Sequence, residues 1–160
     1  MDLNADDRLL LSTRTVDFDV TAATKKEVLH YIAEKLLSLG RISDTNQFIQ
    51  DVQNREDRGN TTLTNGFAIP HGLSTAVLYP VIYFVRVRKP ICDWYALDHS
   101  SIQNIMMFAL PATCQDKKIV SQVKKMMLIL SEDENLLAMS KVATKKMLIN
   151  YLLKKLAMEE

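Results

Sequence analysis

At 160 residues and 18.2 kDa the chain has the length of one domain, enough to bury roughly 70% of the surface its unfolded form exposes. Hydrophobic residues make up 48% and charged residues 24%, the balance of an ordinary soluble globular protein. A formal net charge of +1 supplies no global field to gather nucleic acid or an acidic membrane, and the longest apolar runs, 81–85 and 105–110, fall far short of the ~20 residues that span a bilayer.

Residues 1–7 are polar and acidic, which predicts a loose start and excludes a secretory signal. Residues 9–11, and residues 16–20 with their apolar/polar alternation, predict short extended segments. Thr24-Lys25-Lys26-Glu27 is a capping-box pattern that opens a helix. Val28, Leu29, Ile32, Ala33, Leu36 and Leu37 form its core stripe, and Gly40 stops it. His30 falls just off that stripe and reads as an exposed histidine without chemistry. Ser43-Asp44 caps a second helix carrying Phe48, Ile49 and Val52 and running towards Arg55, where a helix C-terminus favours a cation.

Residues 59–66, Gly-Asn-Thr-Thr-Leu-Thr-Asn-Gly, are dense in turn formers and predict a surface loop. Phe67, Ala68 and Ile69 follow as a run long enough for a buried strand and too short for a helix. Gly66 can supply a turn with positive φ before the strand. Pro70 removes a ladder donor and is expected to end it. His71 then sits at a rigid strand exit, followed by Gly72, which has no bulk to cover the ring. One ring nitrogen is expected to face outward while the other donates to a nearby carbonyl and fixes the tautomer. With the Arg55 guanidinium, the Thr61 and Thr62 hydroxyls and the Gly59 loop within chain reach, the stretch reads as an imidazole nucleophile beside an anion pocket. The economical ligand is a phosphoryl group.

Downstream, residues 81–87 are β-branched and aromatic, hence a strand ended by Lys89-Pro90. Residues 102–110 form a second apolar strand, ended by Pro111. Two nearly continuous apolar strands imply a sheet covered on both faces. From Asp116 onward the pattern is helical: a helix with Ile119, Val120, Val123, Met126, Met127 and Leu130, a short segment around 136–139, and a Thr144-capped helix bearing Met147, Leu148, Tyr151, Leu152 and Leu156. The recurring Lys-Lys pairs, from Lys25-Lys26 to Lys154-Lys155, read as solvated helix faces. Cys92 and Cys114 fit neither a disulfide framework nor a zinc pattern and read as reduced thiols in a cytoplasmic protein. The scattered histidines lack the paired spacing of a metal site, so no metal or other cofactor is implied.

In order and spacing, Arg55-Glu56, Gly59 with Thr61 two residues on, and Asn65-Gly66-Phe67-Ala68-Ile69-Pro70-His71 strongly resemble a known phosphorylation-site region. It is that of enzyme IIA of the bacterial phosphoenolpyruvate-dependent sugar phosphotransferase system, in the fructose/mannitol class that includes nitrogen-regulatory IIA proteins. Pro90-Ile91 with Ala96-Leu97-Asp98, and the strand closing on Leu110-Pro111-Ala112, also resemble the family, so the likeness extends roughly over residues 9–155. The resemblance implies a single α/β domain spanning the chain, with a mixed sheet of about five strands flanked by helices on both faces.

It further implies that His71 accepts a phosphoryl group, through Nε2, from the phosphorylated histidine carrier protein (HPr). Arg55 and Thr61 would assist, with Gly59, Asn60 and Thr62 in the phosphate-binding loop. The group would pass to a IIB component, and the membrane component IIC would be reached only through IIB. Three positions depart from the family pattern. Asn60 replaces a usual serine, Thr62 stands where nitrogen-regulatory members have Gly, and Lys118 occupies the place of a second histidine, where it could offer charge but no proton shuttle. His99, in a turn, is expected to face solvent.

The nearest alternative is a phosphorylation-state sensor of the same fold with weak or no onward transfer, towards which Lys118 leans. A hydrolase built on Cys114 or a Ser/His pair lacks a nucleophile elbow. A purely structural domain would leave the Pro-His exit and its polar loop without a purpose.

Overall fold

The computed structural model describes residues 10–159. The two apolar runs form the centre of the sheet as strands β4 (Val81–Val87) and β5 (Asn104–Pro111), paired antiparallel from Val81↔Ala109 to Arg86↔Asn104; in chain order they follow β1 (Val16–Val20), β2 (Phe67–Ala68) and β3 (His71–Ser74). β1 pairs parallel with β4, while β2 and β3 both pair parallel with the other side of β5. The result is a five-stranded mixed sheet in one domain.

The period of two divides each apolar run between two cores. Val81, Tyr83 and Val85 of β4, with Ile105, Met107 and Ala109 of β5, pack under α1 (Lys25–Ser38) and α2 (Thr45–Glu56). Ile82, Phe84, Met106 and Phe108 point the other way, against α3 (Lys117–Leu130), α4 (Asp133–Lys141) and α5 (Lys145–Met158). Both faces are covered, as uninterrupted hydrophobic strands require.

The helix boundaries follow local chemistry. Thr24 accepts from the Glu27 N–H at 3.2 Å, and the Glu27 carboxylate reaches back to the Ala23 N–H at 2.7 Å. Gly40, at φ 71°, turns the chain out of α1 while Arg41 N–H bonds the Leu36 carbonyl at 2.9 Å, closing the helix end. Asp44, Asp116 and Thr144 cap α2, α3 and α5. Among the described residues no helix is long and apolar enough to cross a membrane.

Two expectations need correction and one falls partly out of view. Residues 1–7 and Leu9 lie outside the described residues. Leu10 is not extended but sits in a turn at φ 55°, and a single 3₁₀ turn, Thr13–Thr15, follows. Ser12 and Thr15 exchange side-chain bonds with the local backbone there, an alternative that outcompetes a strand ladder. Pro70 does not end the strand run. It interrupts it: β2 stops at Ala68, and β3 resumes at His71 along the same neighbour, β5. The Pro70 carbonyl still accepts from the Phe108 N–H at 3.0 Å, so only one donor is lost and the edge continues.

Candidate functional site

His71 is the first residue of β3 rather than a residue beyond it, opposite Phe108 in register, and its ring stacks on Phe108 with centroids 5.6 Å apart. The strand alternation turns Gly72 to the opposite face. There a Cβ would meet the Phe48 ring at 2.7 Å and Val52 at 3.0 Å. Gly72 is therefore needed for the close approach of α2, and the reading that it merely leaves the imidazole uncovered is corrected. Gly66 behaves as expected: its φ is 72°, and a Cβ would lie 2.9 Å from the Ser101 carbonyl oxygen.

The expected hydrogen bond that fixes the tautomer is not formed. His71 Nδ1 is buried and has no partner among the described residues. The ring as a whole is half-buried, and Nε2, unlike Nδ1, is not among the buried atoms left without a partner. Burial first, and the Arg55 guanidinium second, push the imidazole below its ordinary pKa, with the Glu56 carboxylate opposing them. The ring is neutral at pH 7, the form in which a nitrogen lone pair is available for attack.

The loop after α2 reaches this edge by backbone pairing. Ile69 N–H donates to the Thr61 carbonyl at 2.9 Å, Leu63 N–H donates to the Phe67 carbonyl at 2.8 Å, and Thr62 bridges Ala68 antiparallel. Residues 61–63 thus run along the outside of β2, and the Ile69 N–H, which faces away from β5, is satisfied by the loop. Arg55, in the last turn of α2, donates through Nη1 to the Gly59 carbonyl at 3.2 Å and makes no carboxylate ion pair among the described residues. Gly59 and Asn60 are exposed at the turn.

The hydroxyls are engaged inside the protein. Thr61, 4% exposed, donates to the Glu56 carboxylate. Thr62, also 4% exposed, donates to Asn60 Oδ1 at 2.7 Å, and its N–H bonds the same oxygen at 2.9 Å. This turn leaves the Asn60 amide N–H groups, rather than its oxygen, for an outside acceptor.

Lys118 is exposed in the first turn of α3 and lines a cleft of about 620 Å³ with Leu10, Thr15, Arg41, Tyr79 and Gln122. It is not among the charges that perturb His71. His99 occupies an exposed turn at φ 68°, and His30 is exposed with Nδ1 3.0 Å from the Lys26 carbonyl. Cys92 is exposed and Cys114 half-buried, both as free thiols.

Two residues near the site carried no role in the sequence reading. Glu56 was visible beside Arg55 in the motif. Lys25 was grouped with the solvated Lys-Lys pairs, yet its ammonium lies 2.7 Å from Glu56 Oε2 and 4.7 Å from the Trp94 ring centroid. No local pattern marks a lysine for a partner 31 positions away.

Comparison with known proteins adds three findings. Residues 9–155 match the family described as phosphoenolpyruvate-dependent sugar phosphotransferase system, EIIA 2. A curated relative, the PTS system 2-O-alpha-mannosyl-D-glycerate-specific EIIABC component of Escherichia coli (strain K12), is 32% identical over 89 residues, covering 55% of this chain and only 13% of the relative. Among solved structures, nitrogen regulatory protein IIA-Ntr from Neisseria meningitidis superposes with a TM-score of 0.74 at 21% identity, covering 91% of this chain and 98% of that one. A complex of enzyme IIAMTL and phosphorylated enzyme IIBMTL from Escherichia coli gives a TM-score of 0.67 at 16% identity, covering 92% and 96%.

Proposed function

Because the chain belongs to the EIIA 2 family of the phosphoenolpyruvate-dependent sugar phosphotransferase system, we propose that it is a phosphocarrier whose acceptor is His71. The supporting observation is the corner just described. A neutral, half-buried imidazole with Nδ1 inside stands at the sheet edge, the Arg55 guanidinium at the end of α2 acts on it, and the loop bearing Asn60 and Thr61 is tied to the neighbouring strand by the Thr61–Ile69 backbone bond.

The Nε2 lone pair attacks the phosphoryl group of phosphorylated HPr in line. A P–N bond forms on His71 as the donor's P–N bond breaks, and the donor imidazole leaves with the electron pair. Arg55 balances charge on the equatorial oxygens, and the Thr61 hydroxyl, the Asn60 amide and the N–H groups of residues 60 and 61 donate to them. The phosphoryl group then moves to a IIB component on the cytoplasmic side, with IIC reached only through IIB. A structural neighbour was determined with a phosphorylated IIB partner, which supports that order. Sugar uptake is the proposed destination of the phosphate; the protein itself need touch no sugar.

A second reading, a regulatory sensor with slow onward transfer, draws on two observations: Lys118 lines a cleft that His71 does not line, and no other histidine perturbs His71. One experiment addresses both. Incubation with phosphoenolpyruvate, enzyme I and HPr should place an acid-labile, alkali-stable phosphate on His71, absent in His71→Ala; addition of IIB should discharge it. Absence of label overturns the phosphocarrier, and label that IIB does not remove selects the sensor.

A further inference from the structure

Glu56 ends α2 with its side chain only 7% exposed, and both carboxylate oxygens have partners. Oε1 accepts the hydroxyl of Thr61. Oε2 accepts the Lys25 ammonium at 2.7 Å. Lys25 is itself held at the start of α1: its backbone N–H donates to Asp93 Oδ1 at 2.8 Å, and its ammonium lies over the face of buried Trp94. A carboxylate so nearly removed from water needs this compensation, and it lies close enough to act on the His71 ring.

The bond between Thr61 and Glu56 has a consequence for a phosphorylated His71. A threonine hydroxyl carries one hydrogen, and phosphoryl oxygens are acceptors only. Thr61 therefore cannot serve Glu56 and a phosphoryl group at once. If it turns to the phosphoryl group, Glu56 loses a donor, the Thr61 lone pairs turn towards a carboxylate, and Lys25 alone neutralises the buried charge.

We propose that Glu56 is a positioning residue that holds the Thr61 hydroxyl in the resting protein and competes with the phosphoryl group for it, while Lys25 sets the strength of that competition. The pair thereby limits how firmly His71 keeps its phosphoryl group. A carrier needs such a limit, because a site that binds the phosphohistidine too well cannot pass the group on. The inference rests on His71 being the acceptor, and it deepens that reading by assigning the residues that set the transfer equilibrium.

Opposite charges predict opposite effects. Glu56→Gln removes the competing charge and supplies an amide that donates to Thr61 as Thr61 donates to the phosphoryl group, so the phosphorylated form gains. Lys25→Met keeps an apolar stem over Trp94 and leaves the carboxylate unbalanced, so the phosphorylated form loses. The double variant returns towards the wild type.

The test equilibrates the full chain with phosphorylated HPr and measures how label divides between the two proteins, with melting curves confirming that each variant is folded. The expected shifts are on the order of tenfold towards the protein for Glu56→Gln and on the order of tenfold away from it for Lys25→Met, the size of one charge-assisted hydrogen bond. Trp94, the single tryptophan, reports independently: its fluorescence should change on phosphorylation in the wild type and not in Lys25→Met. If the wild type carries no label on His71, the phosphocarrier reading itself has failed. If His71 is labelled but the two variants shift the same way, or Glu56→Gln shifts nothing, the role of Glu56 is overturned while the acceptor stands.

Discussion

The protein contains two half-hidden carboxylates, each tied to a lysine and to hydroxyl groups, and they serve different ends. Asp17 in β1 accepts from Tyr31 at 2.7 Å and Tyr83 at 2.5 Å, with Lys145 at 3.5 Å. Burial alone would raise its pKa, but the hydrogen bonds from Tyr83 and Tyr31 and the nearby ammonium outweigh it and hold the carboxyl below the usual range. Both tyrosines are pushed up, by burial and by that carboxylate. This network joins α1, β1, β4 and α5 and closes on itself. Glu56 has the same ingredients, yet its hydroxyl partner is the threonine that the proposed chemistry also requires, and a neutral imidazole stands beside it. Composition does not separate a structural carboxylate from one that tunes a reaction. What separates them is whether a partner has a second claim on its hydrogen.

The sharpest way to break this contrast is Arg55→Ala. It should slow labelling of His71 by a factor on the order of 10² or more while leaving the melting temperature nearly unchanged, since among the described residues the guanidinium's one hydrogen bond goes to an exposed turn. Labelling kinetics beside a thermal melt would decide it, and an equal loss in both would place Arg55 with the structural residues.

Gly72→Ala should act through packing. The new methyl meets Phe48 and Val52, so an unfolding titration is expected to show a loss of about 1–3 kcal/mol, with labelling reduced only as far as β3 shifts from α2.

Tyr83→Phe should do the reverse of Arg55→Ala. Removing a buried hydroxyl from Asp17 is expected to cost about 1–2 kcal/mol in denaturant unfolding without slowing labelling. Asp17 also carries a pH signature. Because its folded pKa is depressed, its contribution is complete above the unfolded value and is lost as pH falls through the lower folded one. Asp17→Asn should flatten that part of the acid-unfolding curve.

The smallest effect is the titration of His71 itself. Its ring resonances should titrate below 6.5 by NMR, and the midpoint should move upward in Arg55→Ala, which removes one cause of the depression. A midpoint at or above 6.5 in the wild type would contradict the neutral, partly desolvated ring.

Much of this architecture was legible in the chain. The unbroken apolar runs of β4 and β5 announced a sheet covered on both sides, and the helices expected after Thr24, Asp44, Asp116 and Thr144 appear capped by those residues. The Arg55, Thr61 and Pro70-His71 spacing pointed to one corner because a helix end, a short loop and a strand start leave the chain little freedom there. Pro70 was misjudged for a physical reason. Its missing donor removes one ladder bond, but its carbonyl still accepts from the Phe108 N–H of β5, and β3 can resume. Gly72 was misjudged because a glycine's reason lies in whatever approaches it, here Phe48 and Val52.

The amino-acid order alone determined the class of fold, the division of each central strand between two cores, and the candidate acceptor, because periods of 2 and 3.6 and the restrictions of Gly and Pro are local properties of the backbone. Which imidazole nitrogen is buried, which carboxylate holds the Thr61 hydroxyl, and that Lys25 serves Glu56 while Lys118 lines another cleft were decided only by the tertiary structure. A polar side chain's partner depends on donors and acceptors brought from distant parts of the chain, and on how far burial removes the competing water.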